Sequence, residues 1–370
     1  MIKAYYISSI KNKNGDNIGY KIKDLRGKEY EIKTESLKQV IHQGKIHVIG
    51  LEIDKHDNLI SIEEKYRNLV LRLKLFGITN NEIPTYCGHK CYIFSNNKTH
   101  TIYIPPDVTA LNKYLSNLVF TNYLCNLQGT IRIVGGRGLK DANYMFWFCT
   151  AKNIDLYNFD ASNIKSMEGM FKSCKTKDIN MGDLDTSNVT NMKDMFTNCE
   201  IKDLNLSGFN TRNVINMERM FYHCGAENID LSSFDTSSVK TMRQMFDCCE
   251  AQSLDLSTFD TSNVTDMEYM FTGCASRDIS LCSFNTHNVT HMTGMFYCSK
   301  VEVLNLNNFD THNVTDMELM FCGCKAQSID LSSFYINKGC NIQDAFRQCQ
   351  SVVKTTDPKL IKELERSRLN

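Results

Sequence analysis

The sequence predicts an α/β solenoid: a right-handed stack of 25-residue coils, each a strand, a turn and a short helix, behind a small N-terminal α+β module. Three residue columns that recur every 25 positions carry this prediction. The first is the pair Met-Phe, at 145–146, 170–171, 195–196, 220–221, 245–246, 270–271, 295–296 and 320–321, continued by Ala-Phe at 345–346. The second is a cysteine at 149, 174, 199, 224, 249, 274, 324 and 349, displaced to 298 in one coil. The third is an apolar-x-apolar triplet beginning at 154, 179, 204, 229, 254, 279, 304 and 329.

The strand of each coil is predicted from alternation. In Ile229-Asp230-Leu231 two apolar residues flank a polar one, as expected of a strand with one buried face. Phe234 adds a third inward-pointing side chain. The polar run 235–238 has the composition of a turn, because short polar side chains bond to their own backbone there. Each coil therefore starts with a short strand that ends in a turn.

The helix of each coil is predicted from the spacing of the apolar residues that follow the turn. These residues are three, three, one and three positions apart, which places them on one helix face: Val264, Met267, Met270, Phe271 and Cys274. Thr265 with Glu268 predicts a capping box at the helix start. A single coil cannot bury this apolar face, so the coils are expected to stack and share one core.

The wording Ile-Asp-Leu-Ser-Ser-Phe-Asp-Thr-Ser…Met-Phe-x-x-Cys, as found over 229–249, resembles the BspA-like leucine-rich repeats of bacterial surface proteins. The resemblance covers about 145–350, more than half of the chain. It implies a curved, leucine-rich-repeat-like scaffold associated with adhesion and protein binding, without catalysis. It also implies that relatives are commonly exported and anchored to the cell wall.

Four segments follow from these patterns. Residues 1–66 are interpreted as a small β-rich module, with strands near 2–10, 18–25, 28–33, 45–54 and 58–63 and one short helix over 34–42. Residues 67–144 are interpreted as a linker followed by degenerate capping coils. The solenoid occupies 145–350, and 351–370 is interpreted as a C-terminal helical cap over the last coil.

The composition excludes collagen, a mainly disordered chain and an integral membrane protein. Hydrophobic residues make up 42% of the chain and charged residues 23%, which are ordinary values for a folded soluble protein. The longest apolar stretch, near 142–151, is far shorter than the roughly 20 residues of a membrane-spanning helix, so no membrane insertion is expected. The N-terminal residues show no signal peptide. We therefore expect a cytoplasmic protein, with the cell surface as the alternative implied by the resemblance.

Charge is balanced overall but not along the chain. Lys+Arg and Asp+Glu are 42 each, yet residues 1–150 hold 21 basic and 13 acidic side chains, and 151–350 hold 16 basic and 26 acidic. The repeat's own turn aspartates explain the acidic part, and a charged partner is the alternative explanation. One alternative function is therefore a nucleic-acid-associated protein that acts through the basic N-terminal portion. Nucleic acid is nevertheless not the expected partner, because an aromatic-basic signature is weak here.

Cysteine usage is high, with 16 in the chain. Helices in such a stack are expected to lie roughly 9–10 Å apart, too far for disulfides, so the repeated cysteines are predicted to pack as small buried hydrophobes. Cys87 and Cys91 form a tighter cluster to which Cys125 could be added. They supply one ligand pair where structural zinc needs four ligands, so no zinc site is predicted there.

Acidic and histidine side chains recur at the strand-to-helix turn. Stacked carboxylates require compensation, either by calcium bridging or by hydrogen bonds from turn amides, and the amides are the favoured explanation. His287, His291 and His312 are interpreted as solvated turn residues, with a metal or pH-responsive patch as the alternative. The acidic column consists of Asp160, Asp185, Asp235, Asp260 and Asp310, with Asn210 and Asn285.

No catalytic constellation, phosphate-binding loop or cofactor site stands apart from the repeat pattern, so no enzyme and no cofactor are predicted. The function predicted is a non-enzymatic protein-interaction scaffold with a protein partner, and a surface adhesin exported by an unseen route is the second alternative. Bulky side chains on the turns and helices are the expected partner-binding residues, because aromatic and arginine side chains dominate interfaces. They are Arg212, Arg219, Tyr222, Arg243, Tyr269, His287, Tyr297 and His312.

Overall fold

A computed structural model provides the structure of the protein. It describes the strands between residues 4 and 95 given below, then 98–104, 108–109, 111 and the continuous chain 127–369, with side chains from residue 98 onward. The chain forms two compact units. One comprises Met1–Tyr86 with Tyr92–Asn97, and the other comprises Cys87–Cys91 with Lys98–Asn370.

The first unit contains short antiparallel sheets. Strands β1 (Ala4–Lys11), β2 (Asn17–Asp24) and β3 (Glu29–Lys33) form a three-stranded sheet in that order. Two further antiparallel pairs join β4 (Leu51–Ile53) to β5 (Leu59–Ile62), and β6 (Thr85–Tyr86) to β7 (Tyr92–Ser95). Strands thus lie in each of the predicted stretches, although within 45–54 only Leu51–Ile53 is among the described residues. The helix predicted over 34–42 and the Cys87–Cys91 cluster lie outside the described residues.

The second unit is a β-solenoid of about nine coils. Between residues 153 and 330 the strands that pair do so in parallel with an offset of 25 residues, so that Ile154 faces Ile179 and Leu204 faces Ile229. A second row of nine bridge residues runs in parallel from Asp141 to Asn341 at the same offset. The strands are β8 (Thr99–Ile104), β9 (Thr130–Gly135), β10 (Asn153–Phe159), β11 (Asp178–Asn180), β12 (Asp203–Asn205), β13 (Asn228–Asp230), β14 (Ser253–Leu254), β15 (Asp278–Ile279), β16 (Val303–Asn305), β17 (Ser328–Asp330) and β18 (Val352–Lys354).

The short helix predicted in each coil is wrong. Between 127 and 357 the structure contains no helix, and each Met-Phe segment is a run of consecutive turns. The amide of Phe221 donates to the carbonyl oxygen of Met245 in the next coil at 2.9 Å, and the amide of Met220 closes a turn on Met217 at 3.2 Å. Because alternate amides join neighbouring coils, they are not available for the bonds that a helix makes within itself.

These turns require left-handed backbone at two positions in each coil. Arg219 has φ of 54° and His223 has φ of 49°, each at the third position of a turn, where a type II turn needs positive φ. At these positions, a coil that carries a large side chain is often followed by a coil that carries glycine. A Cβ on Gly294 would overlap the ring of Tyr269, so this glycine leaves room for the tyrosine.

The capping box predicted from Thr265 and Glu268 is also wrong. The amide of Glu268 donates to Oδ1 of Asp266 at 2.9 Å, which makes a side-chain turn at a corner of the coil. Such corners occur at up to three positions per coil. The amides of Ser232 and Ser237 donate in the same way to Asp230 and Asp235, both at 3.0 Å. The coils therefore turn through side-chain hydrogen bonds rather than helix caps.

The core consists of identical residues stacked from coil to coil. The phenylalanines of the Met-Phe column are fully buried from 146 to 346, and neighbouring rings stack in parallel with centroids 5.4–5.8 Å apart. The repeated methionines and most of the repeated cysteines are buried beside them. The expected 9–10 Å separation between coils is wrong, because the coils stack at the closer spacing of parallel strands.

A threonine column, which the sequence analysis did not single out, satisfies backbone groups inside the stack. The hydroxyl of Thr286 donates to the carbonyl oxygen of Asp310 at 2.9 Å and accepts the amide of the same residue at 2.8 Å. The amide group of Asn288, two residues later, donates back to the carbonyl of Ser262 at 2.7 Å. The motif Thr-x-Asn thus links one coil to both of its neighbours.

Helix α1 (Pro358–Leu369) follows the last coil. Nζ of Lys359 donates to the carbonyl oxygens of Ile336 and Asn337, both at 2.7 Å, and Arg366 pairs with Asp344 at 3.1 Å. Leu360 is buried. The helix therefore packs on the terminal coil, where the sequence places a cap.

Candidate functional site

The eight residues predicted to bind a partner lie in two regions of the coils. Arg219, Tyr222, Arg243, Tyr269 and Tyr297 lie on the face formed by the Met-Phe turns, called the turn face below, and are half-buried. The remaining three, Arg212, His287 and His312, lie at the corner that follows the strand and are exposed. The structure thus brings together five of the eight residues along one face.

The arginines of the turn face are engaged by neighbouring coils. Arg219 donates from Nε to the side-chain oxygen of Gln244 at 2.9 Å, and its guanidinium lies 5.9 Å from the ring centroid of Tyr222. Arg243 pairs with Glu268 of the next coil. Part of each side chain therefore stabilises the stack, and the exposed remainder is what a partner can contact.

One column of the turn face alternates in charge. Lys193 pairs with Glu218 of the next coil at 2.8 Å, and the following two coils place Arg243 beside Glu268. Glu168 precedes Lys193 in the same column and accepts the hydroxyl of Tyr144 at 2.7 Å. Opposite charges on neighbouring coils compensate each other, so this surface carries charge without strong repulsion.

The histidine corner places two imidazoles on one carboxylate. Nδ1 of His287 lies 2.9 Å from Oδ2 of Asp310, and Nδ1 of His312 lies 2.7 Å from Oδ1. The hydrogen bond from His287, followed by that from the His312 amide, holds the pKa of the Asp310 carboxyl well below its ordinary value. His312 also stacks on Tyr335 with centroids 4.7 Å apart. His291 is not in this cluster, and it hydrogen-bonds Thr290.

The acidic column makes the turn-amide hydrogen bonds favoured by the sequence analysis. Each carboxylate or amide oxygen accepts the backbone amide two residues ahead, at 2.9 Å in Asp185 and Asp260 and at 3.2 Å in Asp160. The hydrogen bond from Ser187 lowers the pKa of Asp185. The negative charge of each carboxylate is therefore compensated by a hydrogen bond from a backbone amide of its own turn.

Three ligand-type side chains, none of them a candidate in the sequence analysis, meet on the turn face. One imidazole nitrogen of His223, one carboxylate oxygen of Asp247 and Sγ of Cys248 all lie within 4.8 Å of one another. Asp247 is buried and Cys248 is half-buried, while His223 is exposed. Burial raises the pKa of Asp247, and burial together with a hydrogen bond to Asp247 raises the pKa of Cys248 to about 11. Only the repeat offset of 25 residues between His223 and Cys248 could have indicated this meeting.

A comparison with protein-family models decides the family. The family described as "Mycoplasma protein of unknown function, DUF285" matches residues 140–259 and 248–358, which together span more than half of the chain. The chain belongs to the DUF285 family. No curated protein and no solved structure matches it. In the described parts of the chain, no helix is long and apolar enough to cross a membrane.

The DUF285 region contains all of the clusters described above, together with the repeated cysteines. Cys149, Cys174, Cys224 and Cys249 are fully buried, and the cysteines of the described coils are free thiols. In the coil where the cysteine is displaced, Ser299 takes the buried position and Cys298 is exposed. The column thus packs in the core, as predicted, although the spacing argument for it was wrong.

A groove of about 730 Å³ opens on the strand side of the DUF285 region. It lies where one coil departs from the repeat pattern: Gly182 adopts φ of 55° beneath Tyr157, and Leu184 replaces the usual phenylalanine. Its walls include Asn180, Asn205 and Ser207, so the groove has polar sides. No residue of the predicted partner-binding set lines it.

Proposed function

We propose that the chain is a non-enzymatic protein-interaction scaffold, built on repeats of the BspA-like kind, that contacts a protein partner through its turn face. The observation that carries the proposal is that the buried and the outward positions of each coil differ in how much their residues vary from coil to coil. Core positions repeat from coil to coil, whereas the outward positions of the turn face change at every step: residue 219 is Arg, 244 is Gln, 269 is Tyr and 294 is Gly. An invariant core with a variable outer row is how repeat proteins build a specific surface on a general frame.

The turn face has the chemistry of an interface. Tyr222, Tyr269 and Tyr297 are half-buried, so their rings are partly ordered before any partner binds. Tyrosine buries a large area at low conformational-entropy cost, and both tyrosine and arginine are enriched among the residues that dominate binding. The strand side is dominated by short Asp, Asn and Ser side chains and is the weaker candidate.

The BspA-like resemblance supports the same class of function, since that family is associated with protein binding and adhesion. An adhesin is the more specific version of the proposal. It predicts that the partner is an extracellular protein and that antibodies to the native chain label intact cells. Antibody labelling of permeabilised cells alone would exclude this version and leave the scaffold proposal intact.

Affinity capture with the full chain and two surface variants tests the proposal. In the first variant Tyr222, Tyr269 and Tyr297 become Ser. The second changes three exposed residues of the strand side, Asp178, Asp203 and Asp255, to Ser. A protein partner that binds the wild-type chain and the strand variant, but not the turn-face variant, is expected, with affinities then measured on purified partner.

Two results would contradict the proposal. One is a partner that loses affinity only for the strand variant, which would move the interface to the strand side. The other is the absence of any protein that binds the wild-type chain above an unrelated repeat protein. Circular dichroism of both variants distinguishes lost contacts from lost folding.

A further inference from the structure

The His223, Asp247 and Cys248 cluster has the donor set of a divalent zinc site. The imidazole nitrogen, carboxylate oxygen and thiolate sulfur are the three ligand types that zinc binds in proteins. Zinc–ligand bonds of about 2.0–2.3 Å place tetrahedral ligands roughly 3.3–3.8 Å from one another. The three atoms already lie within 4.8 Å of one another, so small side-chain rotations close the remaining gap.

The backbone fixes these ligands before any ion binds. His223 and Cys248 occupy the same position of consecutive coils, both with left-handed backbone, at φ of 49° and 52°. The amide of His223 donates to the carbonyl oxygen of Asp247 at 2.7 Å, which locks one ligand-bearing segment against the other. A site held on a stacked frame is preorganised, which favours metal affinity.

A second layer of side chains orients the carboxylate. Nε2 of Gln244 donates to Oδ2 of Asp247 at 3.0 Å, and the oxygen of the same amide accepts Nε of Arg219 at 2.9 Å. Arg219 is in turn placed over Tyr222. Outer hydrogen bonds of this kind, which hold a ligand carboxylate in place, are typical of metal sites.

Asp247 is also a buried carboxylate that makes no salt bridge among the described residues. The residue is 6% exposed, and the charge of Arg219 acts on it only from a distance. A buried charge is costly unless a positive group compensates it. The equivalent positions in the neighbouring coils are Tyr222 and Thr272, so the repeat itself does not require an acid here.

We propose that His223, Asp247 and Cys248 bind one zinc ion on the turn face. With three protein ligands, the ion keeps a fourth position for water or for a donor atom from outside the chain. Because His223 is exposed, that fourth position faces solvent. The proposal stands apart from the protein-interaction function, since it concerns the isolated chain.

Titration of the full apo chain with Zn²⁺ and, separately, Co²⁺ tests the site. We expect one cobalt ion that shows a thiolate-to-metal charge-transfer band and the visible bands of tetrahedral coordination. His223→Gln and Cys248→Ser should each weaken zinc binding at least about tenfold, and Gln244→Ala about tenfold, as is typical for loss of an outer hydrogen bond. Zinc should also slow alkylation of Cys248, read by peptide mass spectrometry.

Two control variants separate this site from other thiols. Cys298→Ser changes an exposed cysteine at the same coil position two coils later, and a Cys87→Ser/Cys91→Ser chain removes the N-terminal pair. Both should keep the zinc affinity of the wild-type chain. The proposal is overturned if either control loses zinc as strongly as Cys248→Ser, if His223→Gln binds zinc normally, or if the wild-type chain binds no cobalt in a thiolate site. Melting temperatures of the apo variants show whether they remain folded.

Discussion

Thr211 satisfies both backbone groups of Asp235 in the next coil: its hydroxyl donates to the Asp235 carbonyl oxygen at 2.9 Å and accepts the Asp235 amide at 2.9 Å. Thr211 is fully buried, so its hydroxyl makes these bonds away from solvent although Asp235 itself is exposed. One side chain thus performs the work that a pair of strand hydrogen bonds performs elsewhere in the coil.

Replacement of Thr211 by Val should destabilise the solenoid by about 2–4 kcal/mol, because the amide and the carbonyl of Asp235 each lose a partner at about 1–2 kcal/mol, the lower part of the range for an unpaired group since both are only part-buried. Thr211→Ser keeps the hydroxyl and should cost much less. Urea unfolding followed by circular dichroism measures both. Equal stability of the Val and Ser variants would mean that the hydroxyl contributes little.

The stacked phenylalanines predict that the stability lost when one of them is replaced by Ala depends on whether it lies inside the stack or at its end. Phe246 stacks on Phe221 at 5.4 Å and on Phe271 at 5.8 Å, whereas Phe346 stacks on Phe321 alone, at 5.7 Å. Phe246→Ala should cost about 3–5 kcal/mol, as for other buried aromatic residues, and Phe346→Ala distinctly less. Thermal melts of the two variants give the comparison, and an equal loss would show that the stack does not behave as a sum of neighbour contacts.

The close approach of Gly294 to Tyr269 predicts that substitutions at these two positions have coupled effects on stability. Gly294→Ala introduces a Cβ that overlaps the Tyr269 ring and imposes positive φ on a residue with a side chain, for which a loss of roughly 1–3 kcal/mol is expected. In the background of Tyr269→Ala the overlap is absent, so the same change should cost less. Gly339→Ala is the matched control, because its φ is also positive, at 94°, and its added Cβ would meet nothing within 4 Å. Strict additivity of the two changes would contradict the overlap.

The histidine corner predicts a pH-dependent contribution to stability. Since the pKa of Asp310 is lowered in the folded state, its bonds to His287 and His312 stabilise the protein above the unfolded-state value of about 4. This contribution is lost as the pH falls through the folded-state value. Asp310→Asn should therefore melt below the wild type near neutral pH, and the difference should shrink in acid.

Asp278→Asn, at an exposed position of β15, is the control for this pH series. A melting difference between Asp310→Asn and wild type that is the same at every pH would show that the loss comes from packing rather than from the carboxylate charge.

The rate at which a cysteine is alkylated should depend on its position in the coil. Burial raises the pKa of Cys224 to about 12, and Cys249 is raised in the same direction, so neither forms the thiolate that alkylating reagents attack. Cys282 and Cys298 are exposed. Among the described cysteines of the native chain, these two should be labelled first, and the buried column only on unfolding. Mass spectrometry over a labelling time course reads the order, and simultaneous labelling would contradict the buried packing of the column.

The sequence predicts the period, the strands and the core of this fold but not the conformation of the Met-Phe segment. Apolar residues spaced three and four apart are typical of a helix, and Met267, Met270 and Phe271 satisfy that pattern. Consecutive turns that each advance three or four residues bury the same positions. The deciding factor is the bond of each alternate amide to the next coil, a tertiary interaction that a residue pattern within one coil does not contain.

The candidate site was predictable only in part. Arg219 and Tyr222 are bulky and stand out from the repeat, so inspection of one coil finds them. His223 and Asp247 are 24 residues apart, and their contact depends on the register between coils. Alignment of the 25-residue units beneath one another, followed by a search down adjacent columns, would have placed them together.

Acidic and basic residues alternate from coil to coil in one column of the turn face. The column consists of Glu168, Lys193, Glu218, Arg243 and Glu268. The core of the stack repeats every coil, but this column repeats every second coil. Excision of the single coil 206–230 would preserve the phenylalanine and threonine columns while setting Lys193 against Arg243, two like charges. Excision of two coils, 206–255, would set Lys193 against Glu268 instead. Within these five coils, removal of two coils therefore keeps opposite charges on neighbours, whereas removal of one does not.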